Sequence, residues 1–289
     1  MLDKKIAFIG SGAMGEAMIS GLLRQGLSRP EDLLISDPRA ERMQELHEKY
    51  GVQPCTDNIS AIAVADVVVL SVKPQMLSKV MQELKGLLRA DTLVLSIIAG
   101  AKISKIGKGL AHPAIVRSMP NTPAQIGQGI TGWFAAPAVD AAQKEIAKNV
   151  LGALGKQVQV DEEGYLDMVT AVSGSGPAYV FLFMEAMIDA GVHMGLARQA
   201  SEQLVIETIK GSVAYYEAQK GQMHLAALRN QVTSPGGTTA EAIYYLEKAG
   251  FRSGVSRAVW AAYQRSLELG KEAPVHNPDT NPDQTAGKG

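Results

Sequence analysis

Four apolar residues, Ile6-Ala7-Phe8-Ile9, run straight into Gly10-Ser11-Gly12-Ala13-Met14-Gly15, and an amphipathic stretch from Gly15 to Gln25 follows. No other feature constrains the fold as strongly as this succession of strand, glycine turn and helix. The first glycine makes the turn, the second lets a pyrophosphate approach the backbone, and the third lets helix and strand pack closely. The helix N-terminus adds unpaired N–H groups that favour an anion. A glycine pattern alone is a weak signal; its placement between a strand and a helix makes it a dinucleotide-binding signature.

The pattern continues in the same manner. Leu33–Ser36, Val67–Val72, Leu93–Ile98 and Ile115–Ser118 are short runs rich in β-branched residues, with a further amphipathic stretch at Arg39–Tyr50. Strands that alternate with helices, and are apolar along their whole length, predict a parallel sheet covered on both faces. Gly129–Phe134 and Lys156–Val160 read as a last strand pair flanking a helix near Ala138–Leu151. After Val160 the texture becomes almost wholly helical. The fold class expected is α/β, a Rossmann-type parallel-sheet domain over 1–162 followed by an all-helical domain over 163–270.

Within the helical half, Pro177–His193 is apolar on every side, which places it in a core or an interface. A helical domain of about 100 residues has difficulty burying such a helix alone. Dimerisation through it would solve the problem, and a central core helix would satisfy the same pattern. Glu185, Asp189 and its length argue against a membrane span. Further helices are expected at Ala197–Gln219, Met223–Asn230, Thr238–Lys248 and Gly254–Leu269, with Gly250 at a C-cap position. The tail, 271–289, lacks periodicity and is expected to be disordered.

Several candidate ligand residues stand at the carboxyl ends of strands, where open parallel sheets bind ligands. Lys73-Pro74 follows Val67–Val72, Ala99-Gly100 follows Leu93–Ile98, and Asn121-Thr122-Pro123 follows Ile115–Ser118. At the end of the second strand lies Ser36-Asp37-Pro38-Arg39, with Asp37 22 residues beyond Gly15. That spacing suits an acid on the ribose of NAD; Ser36 and Arg39 could instead hold the 2′-phosphate of NADP, leaving Asp37 to cap the next helix. In the helical half, Ser234-Pro235-Gly236-Gly237-Thr238-Thr239 sits at a loop-to-helix junction where backbone N–H groups could receive a small anion. The bland alternative is a capped helix after a tight turn.

Bulk properties narrow the function. A net charge of −1 gives no basis for nucleic acid or an anionic membrane as partner. The lone Cys55 forms no internal disulfide and fits a reducing, cytoplasmic setting. The chain has no signal-peptide pattern ahead of Lys5–Ile9, and its longest apolar runs are strand-length. Five histidines show no metal spacing, so no metal is expected, and the absence of a GxSxG elbow leaves hydrolase chemistry unsupported.

Taken together, Val72-Lys73-Pro74, Met119-Pro120-Asn121-Thr122-Pro123, Ser173-Gly174-Ser175-Gly176-Pro177-Ala178-Tyr179 and Thr233–Thr239 make the chain resemble the delta-1-pyrroline-5-carboxylate reductases. The resemblance runs from about Lys5 to Leu269. It implies an oxidoreductase of proline biosynthesis that adds a hydride from NADPH, or NADH, to a cyclic imine. It also implies homodimers through the helical domain, often gathered into rings of five dimers, with the substrate between the helical domain of one chain and the nucleotide domain of another. By residue, it puts Thr239 on the imine nitrogen, the substrate carboxylate on Ser234, Gly236, Gly237 and Thr238, and an acid, Glu163, beside the substrate. It brings Asn58 to the adenosine half of the cofactor. Ser71, Val72, Lys73 and Pro74 border the ribose and nicotinamide, and Ala99 and Gly100 lie under the ring. Two departures stand out: Gln231 occupies a place where some relatives carry asparagine, and Asp37 is unusual for a strongly NADP-preferring site.

Two other functions use the same parts. A hydroxyacid dehydrogenase shares the two-domain plan but calls for a general base near the hydride site, and the long apolar helix lacks an early lysine to serve. A non-catalytic dinucleotide sensor needs Gly10–Gly15 and has no use for the Ser234–Thr239 junction.

Overall fold

The computed structural model describes residues 1–271, so the reading of the tail beyond Lys271 lies outside the described residues. Eight strands form one sheet: β1 Ile6–Ile9, β2 Leu33–Ser36, β3 Gln53–Pro54, β4 Val67–Leu70, β5 Leu93–Ser96, β6 Ile115–Met119, β7 Gly129–Ala135 and β8 Gly155–Gln159, in the order β3-β2-β1-β4-β5-β6-β7-β8. All neighbours are parallel except β6 and β7. The chain reverses direction outward from β1, with β2 on one side and β4 on the other, which opens a crevice at their carboxyl ends.

The sheet is buried on both faces because its strands carry apolar side chains on both. Ile6 and Phe8 point to one side, with α1 (Ala13–Arg24), α2 (Ala40–Tyr50) and, farther along the sheet, the helix Ala141–Gly152. Ala7 and Ile9 point to the other, with α3 (Asn58–Ala63), α4 (Leu77–Leu84) and α5 (Ile103–Leu110). Phe8 and Ile9 are at most 1% exposed, and each such side chain contributes about 1.5–3 kcal/mol relative to exposure. The helix Ala141–Gly152 is α6, started by a reciprocal cap between Asp140 and Gln143.

Among the described residues the last strand ends at Gln159, and only helices follow: α7 (Tyr165–Val169), a π turn at Thr170–Gly174, α8 (Gly176–His193), α9 (Arg198–Ala218), α10 (Leu225–Gln231), α11 (Thr238–Lys248) and α12 (Phe251–Leu269). The expected start of α12 at Gly254 moves back to Phe251, because Gly250 adopts φ +73° and lets the chain turn directly from α11 into α12. α12 returns to pack on α7 and the π turn, while α8 packs along α9, where Ser201 donates to the carbonyl of Ile188 at 2.9 Å.

This half has almost no core within one chain. Only Gly191 of α8 is buried, and nothing in α11 is. Phe181 and Leu182 are 61% and 66% exposed. Tyr165–His193 has the length and composition of a membrane span, and only 11% of its most apolar window is buried within the chain. A central core helix, one of the two readings of its pattern, is therefore corrected: the apolar surface of α8 faces outward.

Candidate active site

The glycine turn is held rigidly from three sides. Gly10 has φ +90°, and a Cβ there would come within 2.8 Å of Val72 and 3.0 Å of the Ser71 backbone. Gly15 is as tight, since its Cβ would stand 3.0 Å from the Gly10 carbonyl. Gly12 meets nothing within 4 Å, so its missing side chain leaves open space above the N-terminus of α1. That N-terminus has no side-chain cap, and its first N–H groups remain available. Ser71 Oγ donates to the Gly10 carbonyl at 2.6 Å, and the Gly10 N–H donates to the Ser36 carbonyl at 2.8 Å.

Asp37 completes the bracket. It accepts from the Ser11 N–H at 2.9 Å, from the Arg39 N–H at 3.1 Å, and from the Arg39 guanidinium through Nε at 2.8 Å and Nη2 at 3.0 Å. Burial pushes the Asp37 carboxyl upward, but the Arg39 side chain and the two backbone donors outweigh it and hold the group below its ordinary value. Asp37 lines the groove with both oxygens engaged in holding the glycine turn and Arg39, and no side chain caps α2. Arg42 on α2 donates to the Ser11 carbonyl at 3.0 Å and pairs with Glu16 on α1.

Above this turn lies a groove of about 650 Å³. Gly10, Gly12, Ala13, Ser36, Arg39, Asn58, Ser71, Val72 and Lys73 line it, as the sequence predicted for a dinucleotide. Ser11, fully buried, and Gly15 lie beneath as support. Met76, Lys79, Val80 and Glu83 from α4 and its preceding turn also line the groove and were missed, because a helix as short as α4 gave no clear period in the sequence. No residue after Glu83 contributes to its wall.

The other predicted residues sit along the same sheet edge but outside the groove. Gly100, φ +72°, packs against the end of α12, where a Cβ would approach the Leu269 carbonyl at 3.1 Å. Asn121 engages both ends of its amide within the chain: Nδ2 donates to the Ser173 carbonyl at 3.2 Å, and Oδ1 accepts from the Ile130 N–H at 3.0 Å. It joins the end of β6 to β7 and the π turn. Thr122 and Pro123 form the short helical turn that follows.

Glu163, the acid expected beside the substrate, is tied to the sheet edge. Its Oε1 accepts from the Ile103 N–H at 2.8 Å and from Arg117 Nη1 at 3.2 Å. Arg117, 3% exposed on β6, reaches Asp167 as well at 3.4 Å, and Ser266 of α12 donates to Asp167 at 2.7 Å. This network ties α7 and α12 to the sheet. A lone arginine within the apolar run Ile115-Val116-Arg117 was the sequence signal for it.

The Ser234–Thr239 junction takes the predicted form. Gly236 has φ +70°, the Gly237 N–H donates to the Ser234 carbonyl at 3.1 Å, and α11 begins at Thr238. No side chain caps this helix, and among the described residues neither threonine hydroxyl of Thr238 or Thr239 bonds to protein. Free N–H groups and free hydroxyls therefore stand together on a surface loop.

The chain was compared with known proteins. Residues 163–269 match the model for pyrroline-5-carboxylate reductase dimerisation, and residues 5–100 match that for coenzyme F420-dependent NADP oxidoreductases. A pyrroline-5-carboxylate reductase of Synechocystis is 41% identical over 93% of this chain and 99% of its own length. Two solved structures superimpose over nearly the whole fold. One is a pyrroline-5-carboxylate reductase from Coxiella burnetii, with TM-score 0.86, 37% identity, and coverage of 93% of this chain and 99% of that one. The other is the Plasmodium falciparum enzyme with NADP bound, with TM-score 0.85, 33% identity, and coverage of 94% and 100%. With its glycine groove, its uncapped Thr238 helix and matches that span both halves, the chain belongs to the pyrroline-5-carboxylate reductase family.

Proposed function

We propose that this protein reduces 1-pyrroline-5-carboxylate to L-proline, the last step of proline biosynthesis, with NADPH as the preferred nicotinamide and NADH as a second. The observation that carries the reading is the pairing, in one chain, of a dinucleotide groove with an uncapped helix start at Thr238 that bears two free hydroxyls. A sensor has no use for the second feature, and a hydroxyacid dehydrogenase calls for a general base that the long apolar helix does not offer early in its length.

Each part has a chemical task. The open space at Gly12 and the N-terminus of α1 suit a pyrophosphate, and Ser36, Arg39 and Asn58 lie where an adenosine half would rest. When bound, the nicotinamide supplies a hydride to the C=N carbon. The Thr238 and Thr239 N–H groups hold the substrate carboxylate, supported by the α11 dipole, with Ser234, Gly236 and Gly237 shaping the turn. The Thr239 hydroxyl bonds the ring nitrogen and relays a proton there. A protonated imine is already electrophilic, so the protein's main contribution is orientation, which can be worth several kcal/mol. Glu163 acts at one remove, by fixing the first turn of α5 after the Ala99-Gly100 loop.

We assign 1–162 to cofactor binding and 163–270 to dimerisation and substrate binding. The exposed apolar surface of α8 supports a homodimer, and a ring of such dimers would be the larger assembly. Because the groove draws no wall from the helical half, a second chain's Ser234–Thr239 loop completes the site. The single free cysteine fits a cytoplasmic enzyme. The test is oxidation of NADPH, then NADH, on addition of pyrroline-5-carboxylate to assembled protein; no turnover with either would overturn the assignment.

A further inference from the structure

Ser36, Asn58 and Glu83 come from three different elements and form one hydrogen-bonded chain along the wall of the groove. Ser36 Oγ donates to Asn58 Oδ1 at 2.8 Å, and Asn58 Nδ2 donates to Glu83 Oε2 at 2.9 Å. All three side chains line the groove, and Ser36 is only 5% exposed. The direction of this chain is fixed by chemistry. A carboxylate accepts hydrogen bonds and does not donate them, so Glu83 draws the NH₂ group of Asn58 toward itself. The amide oxygen is left facing Ser36, and the one proton of the Ser36 hydroxyl is committed to it. What Ser36 offers the groove is therefore lone pairs.

We propose that Glu83 is a specificity-determining residue that, through Asn58, sets Ser36 as an acceptor and so restrains the preference for NADPH over NADH. An acceptor at this place suits a ribose 2′-hydroxyl, which can donate to it. A 2′-phosphate carries only acceptor oxygens at neutral pH and needs donors, which Ser36 in this state does not supply. The phosphate then depends on Arg39, two of whose donor nitrogens already grip Asp37. Tolerance for both nicotinamides follows: a cation for the phosphate and an acceptor for the hydroxyl share one end of the groove. This rests on the reductase reading only in taking a nicotinamide dinucleotide as the occupant of the groove.

Glu83 acts through Asn58 and Ser36 and is a positioning residue, so its test must separate the relay from simple removal of a negative charge. In Glu83→Gln the amide of the new side chain can donate to Asn58 or accept from it. Asn58 can then reverse, and the Ser36 hydroxyl is free to donate to a phosphate. Dissociation constants for NADPH and NADH are measured by titration without imine, in wild type, Glu83→Gln, Ser36→Ala and the double variant.

In wild type, Ser36→Ala should weaken NADH about fivefold and NADPH by less, on the scale of a single neutral hydrogen bond. In the Glu83→Gln background the order should invert, with Ser36→Ala weakening NADPH about tenfold and NADH by less, on the scale of a hydrogen bond to a charged group. Glu83→Gln alone should raise the ratio of NADPH to NADH affinity. The inversion is a readout that neither a purely structural role nor a bare charge effect would produce. Equal effects of Ser36→Ala on both cofactors in both backgrounds would overturn the proposal. So would a higher NADPH affinity in Glu83→Gln without any inversion. Because no imine is present, the result stands apart from the reductase assay: failure to bind either dinucleotide would count against the nucleotide groove itself, whereas binding without inversion counts against the relay alone.

Discussion

Thr239 and Arg39 are single residues whose roles separate chemistry from cofactor choice. The Thr239 hydroxyl has no protein partner among the described residues, so its hydrogen-bonding capacity is reserved for what docks on the loop. Thr239→Val keeps the branched shape and removes the hydroxyl. Turnover should fall about 100-fold, the lower end of the usual contribution of positioned proton transfer, with the NADPH dissociation constant changed by less than about twofold. Steady-state kinetics paired with cofactor titration checks this, and a fully active variant would remove Thr239 from the mechanism. Arg39 is the cation nearest the end of β2, and its Nε and Nη2 are anchored on Asp37. Arg39→Ala should weaken NADPH about tenfold more than NADH, the worth of one charge-assisted hydrogen bond. Equal losses for both cofactors, measured by titration, would place the phosphate elsewhere, with Lys73 and Lys79 the other cations on the groove.

At the scale of elements, the glycine turn depends on how α1 is tied to α2. Glu16 of α1 pairs with Arg42 and takes hydrogen bonds from Lys49 and Tyr50, both at 2.9 Å. Burial alone would raise the Glu16 carboxyl, but these α2 partners outweigh it and bring the group from 4.5 down to about 2. A carboxyl depressed on folding stabilises the protein above its unfolded value, and the contribution is lost as pH falls through the folded value. Wild type should therefore exceed Glu16→Gln by about 1–2 kcal/mol at pH 7, after a discount for solvent screening, and the gap should close between about pH 5 and pH 2. Denaturant melts across that range give the answer, and a gap independent of pH would show that Glu16 acts by packing. Such ties are also what the sequence hid. Strands such as Ile6–Ile9 and Leu33–Ser36 were legible to the residue because burial on both faces leaves an unbroken apolar run. α3, α4 and α5, of six to eight residues, are too short to show a period, and β3 contains Pro54. The candidate site followed the same rule. Backbone features, such as Gly10–Gly15 and the start of α11, were visible as composition. The hydrogen bonds that Asn121, Glu163 and Glu83 make were not, because their partners lie 9 to 60 residues away in sequence.

For the whole molecule, the decisive question is whether one chain or two make a working site. The groove is walled only by residues up to Glu83, and the apolar surface of α8 is left facing outward within one chain. A symmetric pair would give each groove the partner's Ser234–Thr239 loop. Two variants, each inactive for a different reason, can test this. Gly12→Val adds a side chain where nothing lies within 4 Å, so it should fold normally and block only the space for the pyrophosphate. Thr239→Val removes the hydroxyl from the loop. If sites are shared, a mixed dimer of the two has one site built from two damaged parts and one built from two sound parts. Random exchange makes about half of the dimers mixed, so the mixture should recover about a quarter of wild-type sites after the chains are dissociated and reassembled. If each site lies within one chain, every site in the mixed dimer keeps one defect and no activity returns. Recovery that depends on reassembly, and is absent on simple mixing, would assign the imine to the boundary between chains. It would also explain why a helix as apolar as α8 has so little to bury it within its own fold.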